Sequence, residues 1–369
     1  VGLDDDSRSL CPWPDADVRH WGSPRVPFPV TVPYRPRPDL ARLGSAVHGR
    51  LEHAVCDADD DAPDALRDKR ARLLRAPAAC VALDPALAAD PAGVWARVRA
   101  AAVAIAGAAG PVHERIDATR PVAPLALVDG EIHAGLAGWT FPAVSGAAFA
   151  LRALRDDARP VIDWIASRPA AERPLHALAL ALQEDLAWME SASAGEPVRA
   201  RMLHACFPSG WAPADKIGLD FASIHAPVAD AGRVIASARE LSRALTRQGP
   251  FVRFVWTVAP DGTRARHPAD ATPWPAAGEP WFRCERQVSL PIVPPVAGEG
   301  HAALFLIRLH RAPMSAVADT PARARLLHDA LASMSAATRA YKGLDGPMPR
   351  LLALLGARCA EGPGDRRDP

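Results

Sequence analysis

The chain has 369 residues, enough to bury one large core or two of ordinary size. Its 43 lysines and arginines face 42 aspartates and glutamates, so neither nucleic acid nor an anionic membrane is the expected partner. The six cysteines, at positions 11, 56, 80, 206, 284 and 359, form no C-x-x-C pair, which argues against structural zinc, an iron–sulfur cluster in this chain and c-type haem attachment, and fits a reducing cytoplasm.

The first residues, Val1-Gly-Leu-Asp-Asp-Asp6, lack the charged-then-apolar order of a secretory leader. No apolar run reaches the ~18 residues of a membrane span. Residues 1–40 are rich in proline and aromatics and are expected to lie extended over a surface. The acidic run 57–61 reads as a solvated turn. Helices are predicted over 64–75 and 91–109, the second opened by Asp90-Pro91, a cap followed by proline. Asp129-Gly130 sits in a predicted hairpin over 125–132. Residues 135–175 give little pattern beyond a helix near 161–167. Leu178, Leu182, Leu186 and Met189 then recur at helical intervals and predict a helix over 174–190.

After Gly195 the pattern shortens to strands, predicted over 198–207, 251–258, 281–290 and 303–310. Helices over 213–228 and 234–246 separate the first two, and 321–335 is a closing helix. The tail from Gly362 is expected to be disordered. The fold class that follows is α+β with an antiparallel sheet.

The chemistry concentrates in residues 204–228. Ile217, Phe221, Ile224 and Val228 make an apolar stripe at helical spacing, with Gly218, Phe221 and His225 beside it, and Pro227 ends the helix near His225. The residues alone allow two readings of His225: a ligand to a flat cofactor, or a core histidine bonded to a backbone carbonyl. In the strand 251–258, Val252, Phe254, Trp256 and Val258 form an apolar face, and Arg253 shares the other face with Val255. In 281–290, Arg286 falls on the apolar face with Phe282, Cys284, Val288 and Leu290, while Arg283, Glu285, Gln287 and Ser289 take the opposite one. An arginine so placed needs an acceptor: either a buried carboxylate such as Glu184 or Asp185, or a ligand in a dry pocket.

Gly298-x-Gly300-x-x-Ala303 matches a dinucleotide fingerprint only formally, because it leads into a strand and offers the phosphate no helix N-terminus. Walker, H-E-x-x-H and G-x-S-x-G motifs are absent. The tryptophans, with no basic stripe alongside, read as core and rim residues rather than a base-stacking platform.

Several short segments, taken in order, resemble the haem-dependent oxidative N-demethylase (dimethylamine monooxygenase large-subunit) family. They are Gln183-Glu-Asp-Leu186, Cys206-Phe-Pro-Ser-x-Trp211, Asp215-Lys-Ile-Gly218, Ile224-His-Ala-Pro-Val228, Arg253-x-x-Trp256, Arg283-x-Glu-Arg-Gln287, Leu304-Phe-Leu-Ile-Arg308 and Tyr341-Lys-Gly343, with a weaker echo in Asp68-Lys-Arg-x-Arg-Leu-Leu74. The resemblance implies a five-stranded antiparallel PAS-type sheet holding a haem b, with His225 as axial ligand from a helix packed across it. Gly218 and Phe221 then face the macrocycle, Lys216 is a candidate for a propionate, and Trp211 and Ile224 complete the cofactor contacts. Arg286 is the implied distal donor, with Arg253 as runner-up and Glu285 as a further catalytic candidate.

The implied chemistry is reductive activation of O₂ and oxidation of the carbon of a small amine. Electrons come from a separate reductase carrying FMN and a [2Fe–2S] centre and using NADPH. The implied organisation is an N-terminal extension over 1–170, a PAS-like core over 171–345 and a C-terminal helix end and tail over 346–369. Two other classes of function stay open: a haem-PAS gas sensor, against which no kinase, cyclase or DNA-binding segment is attached, and a haem-free scaffold of the same fold. The chain departs from the family where Arg253-Phe-Val-Trp256 replaces Arg-x-Asn-Trp, and no asparagine occurs anywhere to substitute. It departs again after Ile224-His-Ala-Pro-Val228 and in Pro291-Ile-Val-Pro-Pro295.

Overall fold

The computed structural model describes residues 26–360, except 49, 57, 109–123, 194–195, 271, 294–295 and 297–299. The predicted tail from Gly362 therefore lies outside the described residues. Among those described, the largest element is an antiparallel sheet of seven strands. In sequence they are β1 (Ala41–Arg42), β4 (Val81–Leu83), β9 (Asp185–Glu190), β10 (Arg199–His204), β11 (Phe251–Ala259), β12 (Trp281–Ile292) and β13 (Ala302–Pro313). Their spatial order is β1-β11-β12-β13-β9-β10-β4. The two short outer strands come from the first hundred residues, so the early part of the chain closes both edges of the sheet. A small ribbon pairs β2 (Ser45–Val47) with β3 (Arg50–Glu52). A second sheet holds β5 (Leu125–Val128), β6 (Glu131–Ala134), β7 (Trp139–Pro142) and β8 (Arg152–Ala153). The chain is thus α+β.

Most predicted elements are present at nearly the predicted bounds. The helices Ala62–Arg75 and Pro91–Ala108 form as expected, and Asp90 Oδ1 accepts from Gly93 N at 2.9 Å. The Asp129-Gly130 turn joins β5 and β6 with both residues at positive φ (49° and 78°), as a two-residue hairpin demands. The helix expected to close the fold runs Pro321–Ala332, capped by Thr320, but two more follow it, Ala336–Tyr341 and Met348–Ala360, the last packed against it.

Four expectations are corrected. The helix predicted over 174–190 is the helix Arg173–Ala179 followed by β9. β9 lies between β13 and β10 with both faces covered, so its apolar residues show no period of two and mimic a helical stripe. The break is held by Lys69, fully buried, whose ammonium donates to the carbonyls of Ala179 (3.2 Å), Leu182 (3.0 Å) and Glu184. Second, the acidic turn near 57–61 is not simply solvated: Asp59 pairs with Arg308 at 2.6 Å and Asp61 with Arg264. Asp57 lies outside the described residues. Third, 213–228 is not one helix. A 3₁₀ turn at Pro213–Asp215 leads to Gly218 at φ +76°, and only Phe221–His225 is α-helical, opened by Asp220 accepting from Ser223 N at 2.8 Å. The helix predicted over 234–246 is likewise two, Gly232–Ala236 and Ala238–Arg247.

The register of β11 to β13 sorts side chains onto two unlike faces. One face aligns Val252, Phe254, Trp256 and Val258 with Val288, Arg286, Cys284 and Phe282, and these with Leu306, Arg308, His310 and Ala312. Most of this face is buried against the N-terminal segment and the C-terminal helices, where Phe28 meets Phe282 and Tyr34 meets Trp256 edge-on at 5.4 Å. The other face carries Arg253, Gln287 and Ile307 in one row and Val255, Glu285 and Leu309 in the next. All but Leu309 of these are only half-buried.

Candidate ligand site over the half-open face

The connection from β10 to β11 arches over this second face. Its apolar side chains, Trp211, Ile217 and Ile224, pack with Ala187, Ala200, Leu203 and Phe305 of the sheet. Phe221 and Val228 turn the other way, toward Ala231, Val234, Leu241 and Leu245. The stripe read from sequence as one helix face is therefore split between two clusters.

His225 ends the Phe221–His225 helix, half-buried, with its ring 4.2 Å from that of Phe221. Its Nδ1 lies 2.8 Å from the Phe221 carbonyl oxygen, which can only accept, so Nδ1 carries the proton and Nε2 keeps its lone pair. Burial pushes the imidazole below its ordinary pKa, and the nearby cations Arg253 and Lys216 lower it further, against the Phe221 carbonyl, which raises it. A neutral imidazole with one nitrogen tied to a carbonyl is the usual state of a metal-bound histidine. Of the two readings left open by the sequence, the carbonyl-bonded histidine is the one observed, and that bond leaves Nε2 available.

Around His225 stand charged groups with unequal satisfaction. Lys216 Nζ donates to the Ile224 carbonyl at 3.1 Å. Arg253 lies close enough to depress the His225 pKa, and its buried Nε has no hydrogen-bond partner. Its own pKa is lowered by burial, opposed by Glu285, Asp39 and Tyr34. Gln287 Nε2 donates to Glu285 Oε2 at 2.7 Å, which orients that carboxylate. Glu285 in turn acts on Lys342, whose pKa burial brings down to about 8. Lys342 donates to the Trp256 carbonyl at 3.1 Å, on the sheet edge beyond β1, and lies over the Tyr34 ring at 5.4 Å. Burial raises the Tyr34 phenol to about 12, so it stays protonated.

The structure sets His225 near Lys216 and Arg253, with Glu285 on the same sheet face as Arg253 and with Ile224 and Trp211 in one apolar cluster; Phe221, expected to share that side, meets the His225 ring from the other cluster, and Gly218 supplies the turn before the helix. It does not bring Arg286 to them. Arg286 occupies the opposite face, where its Nε binds Glu52 at 2.7 Å and its remaining nitrogens reach the carbonyls of Ala54 and Val55. The buried-carboxylate reading of that arginine is the one observed, with Glu52 in place of Glu184 or Asp185. Sequence reasoning did not assign Tyr34 or Lys342 to the site. Lys342 lies within the Tyr341-Lys-Gly343 segment, which was a usable signal; Tyr34 carried none, because its place depends on how the N-terminal segment crosses the sheet edge.

Among the described residues no group of three or more His, Cys, Asp or Glu side chains is placed to hold a metal ion. A group bringing its own equatorial ligands needs only one protein donor, and Ile217, Ile224, Leu203 and Phe305 form an apolar cluster beside the histidine segment. Fold and site together define an α+β protein that offers a single neutral histidine above a half-open, mixed apolar and polar sheet face. A search of curated proteins returned no match. The family model described as haem-dependent oxidative N-demethylase, alpha subunit-like, matches residues 153–351, and the chain belongs to that family.

Proposed function

We propose that the chain is a haem-dependent monooxygenase that oxidises an N-alkyl carbon of a small amine, releasing amine and aldehyde, with electrons from a separate reductase. The observation that carries this reading is the state of His225: neutral, its Nδ1–H fixed on the Phe221 carbonyl, its Nε2 free beside the unpartnered Arg253. Haem, when bound, supplies reductive activation of O₂. The overall reaction takes one O₂, two electrons and two protons, places one oxygen atom in the aldehyde and releases the other as water.

The chain's own residues divide the remaining work. His225 Nε2 would hold the iron, and the Phe221 carbonyl fixes the ring's orientation. Ile217, Ile224, Leu203 and Phe305 exclude water from the flat face. Arg253 offers a cationic donor whose buried Nε has no hydrogen-bond partner, and would place positive charge beside a bound cofactor. Glu285, oriented by Gln287, offers its other carboxylate oxygen to a substrate ammonium. Val255, where the family resemblance implies asparagine, makes the wall beside Arg253 more apolar and favours an amine with a larger hydrocarbon part. Strands β9 to β13, with the histidine segment inserted between β10 and β11, support reading 171–345 as the PAS-type haem core, with FMN, a [2Fe–2S] centre and NADPH use on the partner reductase. No described helix is long and apolar enough to cross a membrane.

The test is the absorption spectrum of protein expressed with ample haem, ferric and then dithionite-reduced with CO. The wild type is expected to show a histidine-ligated spectrum that His225→Ala loses or strongly alters, while both give the same far-UV circular dichroism. A wild type that stays colourless and takes up no added haemin, or a variant with an unchanged spectrum, overturns the reading.

A further inference from the structure

The helix Ala238–Arg247 packs inward through Leu241 and Leu245, in the same cluster as Phe221, whose ring stacks on His225. Ser289 Oγ, on the half-open sheet face, donates to the Leu245 carbonyl at 3.3 Å and ties this helix to β12. The outward side of the same helix carries Arg239, Arg243 and Arg247 at successive intervals of four, and Arg233 precedes them in the neighbouring helix Gly232–Ala236. All four are exposed, and no described carboxylate forms an ion pair with any of them. Residues 232–247 hold four arginines against one acid, Glu240, in a chain whose charges otherwise nearly cancel.

Like charges four apart on a helix repel one another and destabilise it, so a solvated surface helix ordinarily intersperses acids. Here Glu240 alone opposes that repulsion, on a helix that packs against the Phe221 side of the histidine. We propose that the Arg233/Arg239/Arg243/Arg247 stripe docks an acidic electron-transfer protein and so delivers electrons through the Phe221–His225 side of the site. The inference rests on the proposed haem function for its purpose, but the docking itself does not require haem. A basic patch steers an acidic partner from a distance and sets its orientation, which acts mainly on the association rate and makes it fall with salt.

The probe is an acidic plant-type [2Fe–2S] ferredoxin, reduced and mixed with the haem-loaded protein in a stopped-flow instrument at several ionic strengths, with dithionite as the small-reductant control. Binding of the same ferredoxin to the protein with and without haem is measured by titration calorimetry. The triple variant R239E/R243E/R247E is expected to lower the second-order reduction rate at least tenfold at low salt and to abolish its salt dependence, with the dithionite rate and Soret band unchanged. Arg243→Glu alone shows a smaller effect of the same sign, whereas Arg325→Glu, an exposed arginine on the helix Pro321–Ala332, shows none. Equal ferredoxin binding and rates in wild type and variants overturn the proposal. So does wild-type protein that ignores ferredoxin but binds anionic vesicles or duplex DNA through these arginines. If the protein holds no haem, the kinetic arm fails with the functional reading, and loss of ferredoxin binding on charge reversal still decides the docking.

Discussion

Arg253 and Arg286 lie one register step from each other on the paired strands β11 and β12, yet project from opposite faces of the sheet. Arg253 pairs across to Gln287 and reaches the half-open face, where it influences His225; Arg286 pairs across to Phe254 and is clamped by Glu52 and two carbonyls. One arginine keeps a buried Nε with no hydrogen-bond partner, and the other is part of the frame.

Their substitutions should separate accordingly. Arg286→Ala removes the buried charge partner of Glu52 and is expected to destabilise the fold by about 3–5 kcal/mol. Arg253→Ala deletes a guanidinium with no resolved protein partner and should change stability by at most about 1 kcal/mol, while altering the CO-bound haem spectrum. Urea denaturation of both variants checks the first half and absorption spectroscopy the second. A large stability loss for Arg253→Ala would contradict the assignment.

Gly218 is needed for its backbone and not for space. A Cβ built there meets nothing within 4 Å, but φ is +76°. Gly218→Ala should therefore destabilise by about 1–2 kcal/mol, the penalty of a left-handed conformation for an L-residue. Gly346→Ala, also in open space but without positive φ, should be neutral or slightly stabilising. Paired denaturation curves distinguish strain from packing.

Lys342 should be the reactive amine of this chain. The sequence contains three lysines, at 69, 216 and 342. Lys69 is fully buried; Lys216 and Lys342 each donate to one carbonyl at 3.1 Å, and what sets Lys342 apart is that burial brings it down to about 8. Limited trinitrobenzenesulfonate labelling followed by peptide mass spectrometry should modify Lys342 first, with a rate that rises through pH 8. Preferential labelling of Lys216 at that pH would count against the buried placement of Lys342.

Stability should fall as the solution becomes acidic. His204 is fully buried, and its pKa is held well below the ordinary value, first by desolvation and then by His176 and Lys69. His225 is lowered as well. Above about pH 6.5 both are neutral, folded or unfolded, and their burial carries no titration penalty. Below that value the unfolded chain binds protons that the folded chain refuses, and unfolding gains up to about 1.4 kcal/mol per pH unit for each such group. His204→Gln should flatten the slope between pH 6.5 and 5 relative to wild type, measured by chemical denaturation; an unchanged slope would show that His204 does not titrate there.

The sequence by itself determined the α+β class, four of the five longer strands of the large sheet, the hairpin at Asp129-Gly130, the face on which Arg253 lies and the end of the helix at His225. Each of these depends on local chemistry: alternation along a pleated strand, a turn that needs positive φ, a proline that stops a helix. Only the tertiary structure decided that 174–190 breaks into helix and strand, because the agent is the Lys69 ammonium, more than a hundred residues away in the chain. It alone decided that Arg286 is neutralised by Glu52, since which carboxylate meets a buried cation depends on which segment crosses that face. It also brought Tyr34 and Lys342 to the rim of the site. Periodicity fixes the direction in which a side chain points; what it meets there is settled by the packing of segments that share no local signal.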